Sequence, residues 1–194
     1  MRIGWPLALL LLIAGPARAD WSPDAAVLEA LARGSVHAEV NPDGGGVSGV
    51  VHGAVEIDAS PETVWATILD CRRAGRMARS VKTCRLTGRD PRGRWDEREM
   101  TVRWNSLMPT FRTVFRSEFE PLGRITFRCI GGDIRYCKGE WRLQPLAGGR
   151  TRVIYENRAS SPIPAPAFIA RAAMRQDVAD ALRALRREAE MAER

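Results

Sequence analysis

Apolar and polar residues alternate strictly through the middle of the chain. Met100, Val102 and Trp104 alternate with polar residues, and similar alternation runs over 111–119 and 125–129. Because successive side chains of a strand point to opposite faces, this pattern predicts strands with one apolar face. No long helical pattern separates these segments. We therefore expect an antiparallel meander of five or six strands.

Helical periodicity occurs on both sides of this meander. A short helical pattern at 25–32 precedes two strand-like segments, 36–40 and 50–57. Ser60 is followed by proline, the arrangement of an N-cap and first turn, so we expect a helix to begin there. After a proline-rich break, a stripe of apolar residues predicts a helix from 167 to the C-terminus that lies on the sheet.

Residues 1–19 have the features of a secretory signal peptide. Arg2 supplies a basic start, residues 3–13 are apolar, and 17–19 form a small-x-small cleavage site. A membrane anchor is the alternative, but the apolar run is shorter than the about 20 residues that a spanning helix needs. We therefore expect export to the periplasm or beyond, with a mature chain of 20–194.

The composition is that of one globular domain. The chain has 194 residues, of which 45% are hydrophobic and 27% charged, which excludes a disordered chain and a multi-span membrane protein. We expect a helical segment at 20–34 followed by one domain over 35–194, and a monomer.

The formal net charge of +7 makes the protein basic. Many arginines fall on polar strand positions with glutamates among them, which predicts a solvated outer face with cross-strand ion pairs. The functional alternative is peripheral contact with an anionic membrane. Nucleic acid is not an expected partner, since no nucleic-acid-binding module is present.

Four cysteines, at 71, 84, 129 and 137, fall in the mature chain. Export makes two disulfides the default, and three pairings are possible. Residues 130–133 resemble a hairpin turn that would place Cys129 opposite Cys137, so the pattern favours Cys129–Cys137 together with Cys71–Cys84. A zinc site is the alternative. No Cys-x-x-Cys pair occurs and both histidines are distant in sequence from the cysteines, so we expect no metal.

No catalytic motif is evident in the chain. It lacks the nucleophile elbow, the zinc-protease motif, the phosphate-binding loop and the kinase motifs. Asp58, Asp70 and Asp133 are single acids near the ends of predicted elements, where capping and turn roles are usual. We expect no catalytic residue and no cofactor.

Two segments resemble the START-like helix-grip superfamily, also called SRPBCC. They are 55–65, which contains Val64-Trp65 in the capped helix and is followed by Leu69-Asp70, and 139–152, which contains Trp141. The similarity is greatest to the polyketide cyclase/dehydrase and coenzyme Q-binding START-domain group. With the order of the predicted elements, it extends over about 35–190.

This resemblance implies an α+β helix-grip fold, in which a curved antiparallel sheet wraps around the long C-terminal helix and leaves an internal apolar cavity. It supports Trp65 and Trp141 as packing positions. The cavity-lining candidates are inward aromatic and methionine side chains together with the start of the last helix, and each is also a candidate for plain core packing. They are Met100, Trp104, Met108, Phe111, Phe115, Phe127, Tyr155, Phe168, Ile169 and Met174.

The superfamily includes lipid carriers, quinone-binding proteins, cyclases and hydrolases, so resemblance alone leaves the function open. Our leading hypothesis is an exported carrier that holds a lipid or isoprenoid quinone by burial of apolar surface. One alternative is a cyclase- or dehydrase-type enzyme acting on an aromatic or polyketide-like substrate. It predicts an inward polar residue, such as Arg103, Asn157 or Tyr136, with a perturbed pKa. The other is a docking module with a filled core and no ligand.

Overall fold

The computed structural model describes residues 20–43, 49–104, 106–160 and 166–194. The predicted signal peptide at 1–19 lies outside the described residues, as does most of the proline-rich break. The helices are α1 (Ala25–Ala32), α2 (Pro61–Leu69), α3 (Ala74–Met77) and α4 (Ala167–Glu193). The strands are β1 (Val36–Asn41), β2 (Gly49–Ile57), β3 (Val81–Arg89), β4 (Trp95–Val102), β5 (Phe111–Glu120), β6 (Arg124–Gly132), β7 (Cys137–Leu146) and β8 (Arg150–Ala159).

All eight strands form one antiparallel sheet in the order β1-β2-β8-β7-β6-β5-β4-β3. Strands β3 to β8 form the predicted meander, and the β1–β2 hairpin joins it through the pairing of β2 with β8. With α4 on one face of the sheet, this is the expected α+β helix-grip architecture. The predicted N-cap is also present, because the Ser60 hydroxyl accepts a hydrogen bond from the Thr63 amide.

Helix α4 packs closely on β2 through its C-terminal half. A Cβ atom at Gly53 would lie 2.8 Å from Leu182 Cδ1, so glycine at this position lets the helix approach the strand. Leu182, Leu185 and Ala189 are buried, in agreement with the predicted stripe. The stripe was expected to lie on the sheet from residue 167 onwards, and this is wrong for the start of the helix. Ala167 is exposed there, because α4 extends beyond its contact with the core.

Both disulfides have the favoured pairing. Cys71–Cys84 connects the turn after α2 to β3, and Cys129–Cys137 connects β6 to β7. Such cross-links are typical of proteins in an oxidising, extracellular compartment. Among the described residues, no helix is both long enough and apolar enough to cross a membrane.

The segment before β1 covers the outer face of the sheet. Trp21 stacks on His37 and His52, with ring centroids 5.7 and 4.9 Å away, and its carbonyl oxygen accepts a hydrogen bond from Arg142. Leu31 of α1 is fully buried. The two faces of the sheet therefore differ, because the N-terminal segment covers part of the outer face and α4 covers part of the inner face.

We expect Leu182→Ala to lower the free energy of unfolding by about 3 kcal/mol, because it removes a fully buried side chain and leaves a cavity between α4 and β2. Urea denaturation measures this change. The matched control is Met191→Ala, an exposed position on the same helix, which should change stability by less than about 0.5 kcal/mol. Equal effects of the two substitutions would contradict this account of the core.

Candidate ligand-binding groove

The cross-strand register shows which side chains face α4. Gly53 contacts Leu182 of α4, and Tyr155 lies directly opposite Gly53 on β8. Trp141 of β7 and Ile125 of β6 continue the same row. These side chains point to the inner face of the sheet. Helix α4 contacts β1, β2, α2 and α3, so it lies over one half of that face.

The other half of the inner face carries a group of aromatic side chains. We call the space bounded by the inner faces of β4–β8 and the first half of α4 the groove. The rings of Phe115 and Phe127 are 6.4 Å apart, those of Phe127 and Tyr155 6.1 Å, and those of Trp141 and Tyr155 4.3 Å. These rings are only partly buried although they face inward. In a close-packed core they would be fully buried, so the described residues leave this space unfilled.

Gly139 allows the Phe127 ring to lie against the backbone of β7. A Cβ atom at this position would lie 2.6 Å from Phe127 Cζ and 2.9 Å from Asn157 Cα. Any other residue would displace the Phe127 ring. The glycine therefore shapes the groove at the middle of the sheet.

A buried ion pair lies on the groove face of β4. Asp96 and Arg98 are both almost fully buried, and Arg98 Nε donates a hydrogen bond of 2.9 Å to Asp96 Oδ2. Asp96 lies opposite Ser117, which in turn lies opposite Phe127, so the pair shares the face of the aromatic rings. Asp96 Oδ1 is buried and has no hydrogen-bond partner within the described part of the chain. An unpaired buried carboxylate oxygen is costly, so it can accept a hydrogen bond from a bound hydroxyl or amide.

Tyr155 and Asn157 place a second polar group on the floor of the groove, on β8. Burial raises the pKa of the Tyr155 hydroxyl, and a hydrogen bond from the Asn157 side chain opposes this shift. Asn157 Oδ1 is itself buried without a partner among the described residues. Tyr155 is therefore a neutral hydrogen-bonding group at neutral pH.

A hydrogen bond connects the two sides of the groove at its open end. Trp104 Nε1, in the connection between β4 and β5, donates to Asp177 Oδ2 of α4 over 2.7 Å. The Trp104 ring also packs against Phe111, with centroids 5.8 Å apart. Partial burial raises the pKa of Asp177, the hydrogen bond from Trp104 opposes this shift, and Asp180 adds to it. We call this contact the latch.

The structure brings most of the predicted cavity candidates together. Five lie on the groove face of the strands, namely Met100, Phe111, Phe115, Phe127 and Tyr155. Trp104 lies at the open end, and Met108 and Met174 are partly buried on the β4–β5 connection and α4. Phe168 and Ile169 are 69% and 50% exposed at the start of α4, where that helix has left the core.

Of the three polar residues suggested for an inward position, the structure places only Asn157 in the groove. Arg103 and Tyr136 are exposed, so these two suggestions are wrong. Arg103 follows the last residue of β4 and Tyr136 precedes the first residue of β7. Both positions therefore lie in connections, where strand alternation no longer sets the direction of a side chain.

Asp96 and Arg98 were missed by the sequence patterns. They continue the alternation of Met100 and Val102 towards the N-terminus, so position parity alone would have placed them on the inner face. Because both are charged, a search for apolar residues on the inner face does not select them. Among the described residues, no cluster of three or more His, Cys, Asp and Glu side chains is suited to hold a metal ion.

A protein-family model described as polyketide cyclase / dehydrase and lipid transport matches residues 47–190. The match covers every strand from β2 to β8 and most of α4, and so includes the whole groove. No curated protein sequence matches the chain.

Several solved structures are similar to this chain. A STAR-related lipid transfer protein from Xanthomonas axonopodis superposes with a TM-score of 0.68 at 18% identity, covering 80% of this chain and 93% of that one. A START superfamily protein from Mycobacterium smegmatis gives 0.64 at 17% identity, covering 73% and 97%. The Zhui aromatase/cyclase from Streptomyces gives 0.60 at 18% identity, covering 75% and 95%. At these identities the similarity establishes the fold.

The raised pKa of Asp177 predicts a pH dependence of stability. The folded protein holds this proton more tightly than the unfolded chain does, so the stabilisation is complete below the unfolded value of about 3.9 and is lost as the pH rises through the folded value. Asp177→Asn keeps an oxygen acceptor for Trp104 without a charge. We expect the free energy of unfolding of the wild type, relative to Asp177→Asn, to fall as the pH rises from about 3.9 towards neutrality. Thermal unfolding over a pH series measures it, and a constant or rising difference would contradict the assignment.

Proposed function

The chain belongs to the polyketide cyclase/dehydrase and lipid transport family, and on this premise we propose that it is an exported carrier for a hydrophobic small molecule. A lipid or an isoprenoid quinone, bound in the groove, is the cargo. The family supports binding of a hydrophobic ligand, lipid transfer or cyclase-type chemistry. The choice of a carrier, of these cargoes and of export is our proposal.

One observation supports the carrier most strongly, namely that partly buried aromatic rings line a face that α4 leaves uncovered. An apolar ligand lying on Phe115, Phe127 and Tyr155 would remove both its own surface and theirs from water. At about 25 cal/mol per Å², burial of about 400 Å² supplies about 10 kcal/mol, from which the cost of immobilising the ligand is subtracted. Such binding needs no reactive group.

The polar groups of the groove indicate the form of the ligand. Asp96 Oδ1 and Asn157 Oδ1 are buried acceptors without donors among the described residues. A purely apolar ligand would leave both unpaired, whereas one with a hydroxyl or amide group at one end could satisfy one of them. We therefore propose a ligand with an apolar body and a hydrogen-bonding head group.

Export follows from the predicted signal peptide at 1–19 and is supported by the two disulfides. On this proposal the mature protein is a monomer with a helical segment at 20–34 and one domain over 35–194. It would exchange its cargo at an anionic membrane, since its net charge is positive.

A second candidate is a cyclase- or dehydrase-type enzyme, which is favoured by the buried titratable groups of the groove. Asp96, Arg98 and Tyr155 share one face, and burial raises the pKa of Tyr155. Cyclisation with dehydration would release water, so a bound substrate would be recovered with its mass reduced by one water. A carrier would return its ligand unchanged.

Phe115→Ala tests the groove as the binding site. We expect this substitution to weaken binding of decylubiquinone and of pyrene-labelled phosphatidylglycerol by about tenfold to a hundredfold, because about 1.5–3 kcal/mol of apolar contact is lost. Quenching of tryptophan fluorescence by the quinone and pyrene emission measure the two affinities.

The control for this experiment is Met191→Ala, which removes apolar surface at the opposite end of α4 and should leave both affinities unchanged. Equal affinities of Phe115→Ala and the wild type would show that these probes do not bind in the groove. If neither probe binds the wild type and it carries no extractable apolar compound, the carrier proposal is wrong.

A further inference from the structure

A row of basic residues crosses the outer face of four neighbouring strands. Arg116 of β5 lies directly opposite Arg128 of β6, Arg128 opposite Lys138 of β7, and Lys138 opposite Arg158 of β8. With strands about 4.8 Å apart, the four cations span about 15 Å. Like charges placed opposite one another destabilise a sheet, so the folding of the protein does not account for this arrangement.

The two central cations differ from the other basic side chains of the outer face. Arg85 and Arg112 form ion pairs with Glu99, and Arg152 pairs with Glu56. Arg128 and Lys138 are exposed and form no ion pair with any described residue. The acidic side chains on the neighbouring positions already pair with other basic side chains. These pairs are Glu140 with Arg124 and Arg142, Glu156 with His52 and Arg158, and Glu97 with Arg116. The predicted outer face of cross-strand pairs is therefore confirmed, and within the row only Arg128 and Lys138 lack such a partner among the described residues.

One side of the row lies near the open end of the groove, whereas Arg116 and Arg128 lie near the middle of β5 and β6. Lys138 is the second residue of β7 and Arg158 the second-last of β8, at the end of the sheet where α4 begins. Arg171 of α4 lies beside Gly49, the first residue of β2, and so marks the same end. The row and the entrance to the groove can therefore approach the same surface.

Exposed apolar side chains are concentrated at this end of the molecule. Leu107, in the β4–β5 connection, is 95% exposed, and Phe168 of α4 is 69% exposed. Ile130 and Tyr136 are exposed on the hairpin that joins β6 to β7. Apolar and aromatic side chains next to unpaired cations are the combination that a membrane interface accommodates, with cations at the headgroups and apolar groups below them.

We propose that the basic row of Arg116, Arg128, Lys138 and Arg158 docks the protein on an anionic lipid bilayer with the groove entrance at the membrane. The inference rests on the proposed carrier function, to which it adds the docking surface and the chemistry of the partner. A bilayer fits better than an acidic protein. The exposed apolar side chains come from three separate segments and share one end of the molecule, as contact with a flat surface requires.

The double variant Arg128→Gln/Lys138→Gln tests this inference. We expect the wild type to bind vesicles of equal parts phosphatidylcholine and phosphatidylglycerol and to bind vesicles of phosphatidylcholine alone far more weakly. The double variant should bind the mixed vesicles about 30-fold more weakly, the equivalent of about 1 kcal/mol for each basic residue. Added salt should weaken the binding of the wild type more than that of the variant, because salt screens the attraction of the basic side chains to the lipid headgroups.

The matched control is Arg89→Gln/Arg92→Gln. It removes the same charge from two exposed cations at the β3–β4 turn, at the opposite end of the sheet, and should bind mixed vesicles like the wild type. Thermal unfolding checks that both double variants are folded. Equal vesicle affinities of the two variants, or equal binding of the wild type to both kinds of vesicle, would overturn the inference. Binding of polyglutamate in place of the vesicles would also overturn it, because the row would then serve an acidic protein.

Loading of decylubiquinone in the absence of vesicles separates this inference from the carrier proposal. Arg128→Gln/Lys138→Gln should load the quinone as the wild type does, because the row lies on the outer face and the groove on the inner face. Normal loading with normal vesicle binding would refute the docking surface alone. Absence of loading by the wild type would instead count against the carrier.

Discussion

The close approach of α4 to β2 is the contact on which the rest of the structure depends. Gly53 admits Leu182 against the strand, and the buried residues around this contact hold the C-terminal half of the helix over one half of the sheet. The N-terminal half of α4 continues past this contact, with Arg171 beside Gly49 of β2 and Asp177 hydrogen-bonded to Trp104, and it leaves the inner faces of β4–β8 uncovered. The open groove is therefore a consequence of where the helix is anchored. A helix centred on the sheet would have buried the aromatic rings of β5–β8 in an ordinary core.

Apolar and polar groups make different contributions to this groove. The rings supply non-directional contact area, whereas the Asp96–Arg98 pair and the Tyr155–Asn157 group supply a few oriented hydrogen-bonding atoms. Small-molecule sites commonly combine the two in this way. The latch between Trp104 and Asp177 limits how far α4 and the β4–β5 connection can separate at the entrance. The outer face is built differently. Ion pairs cover most of its area, and in the basic row near the same entrance Arg128 and Lys138 form no ion pair with the described residues.

Much of the fold could be predicted from the sequence, because its elements have local signatures. Alternation around Met100 and Val102 predicted strand and face together, and Ser60 before proline predicted the start of α2. The site was less predictable. Asp96 and Arg98 occupy the same alternate positions of β4 as Met100 and Val102. Because they are charged, a pattern of apolar and polar residue types does not assign them to the inner face. Trp104 and Asp177 are 73 residues apart in sequence, and a periodic pattern cannot predict a contact between residues so distant in the chain. The stripe on α4 also runs to Ala167, so it could not show that the helix leaves the core halfway.

The central claim is that the space between the sheet and the first half of α4 holds an apolar molecule. Native mass spectrometry of the protein purified from its own compartment, followed by organic extraction of what it carries, tests this claim most directly. We expect a complex heavier than the mature polypeptide with two disulfides, and an extracted lipid or quinone that accounts for the added mass. A protein that has only the mass of its polypeptide, and that remains empty after incubation with membrane lipids and quinones, would contradict the account.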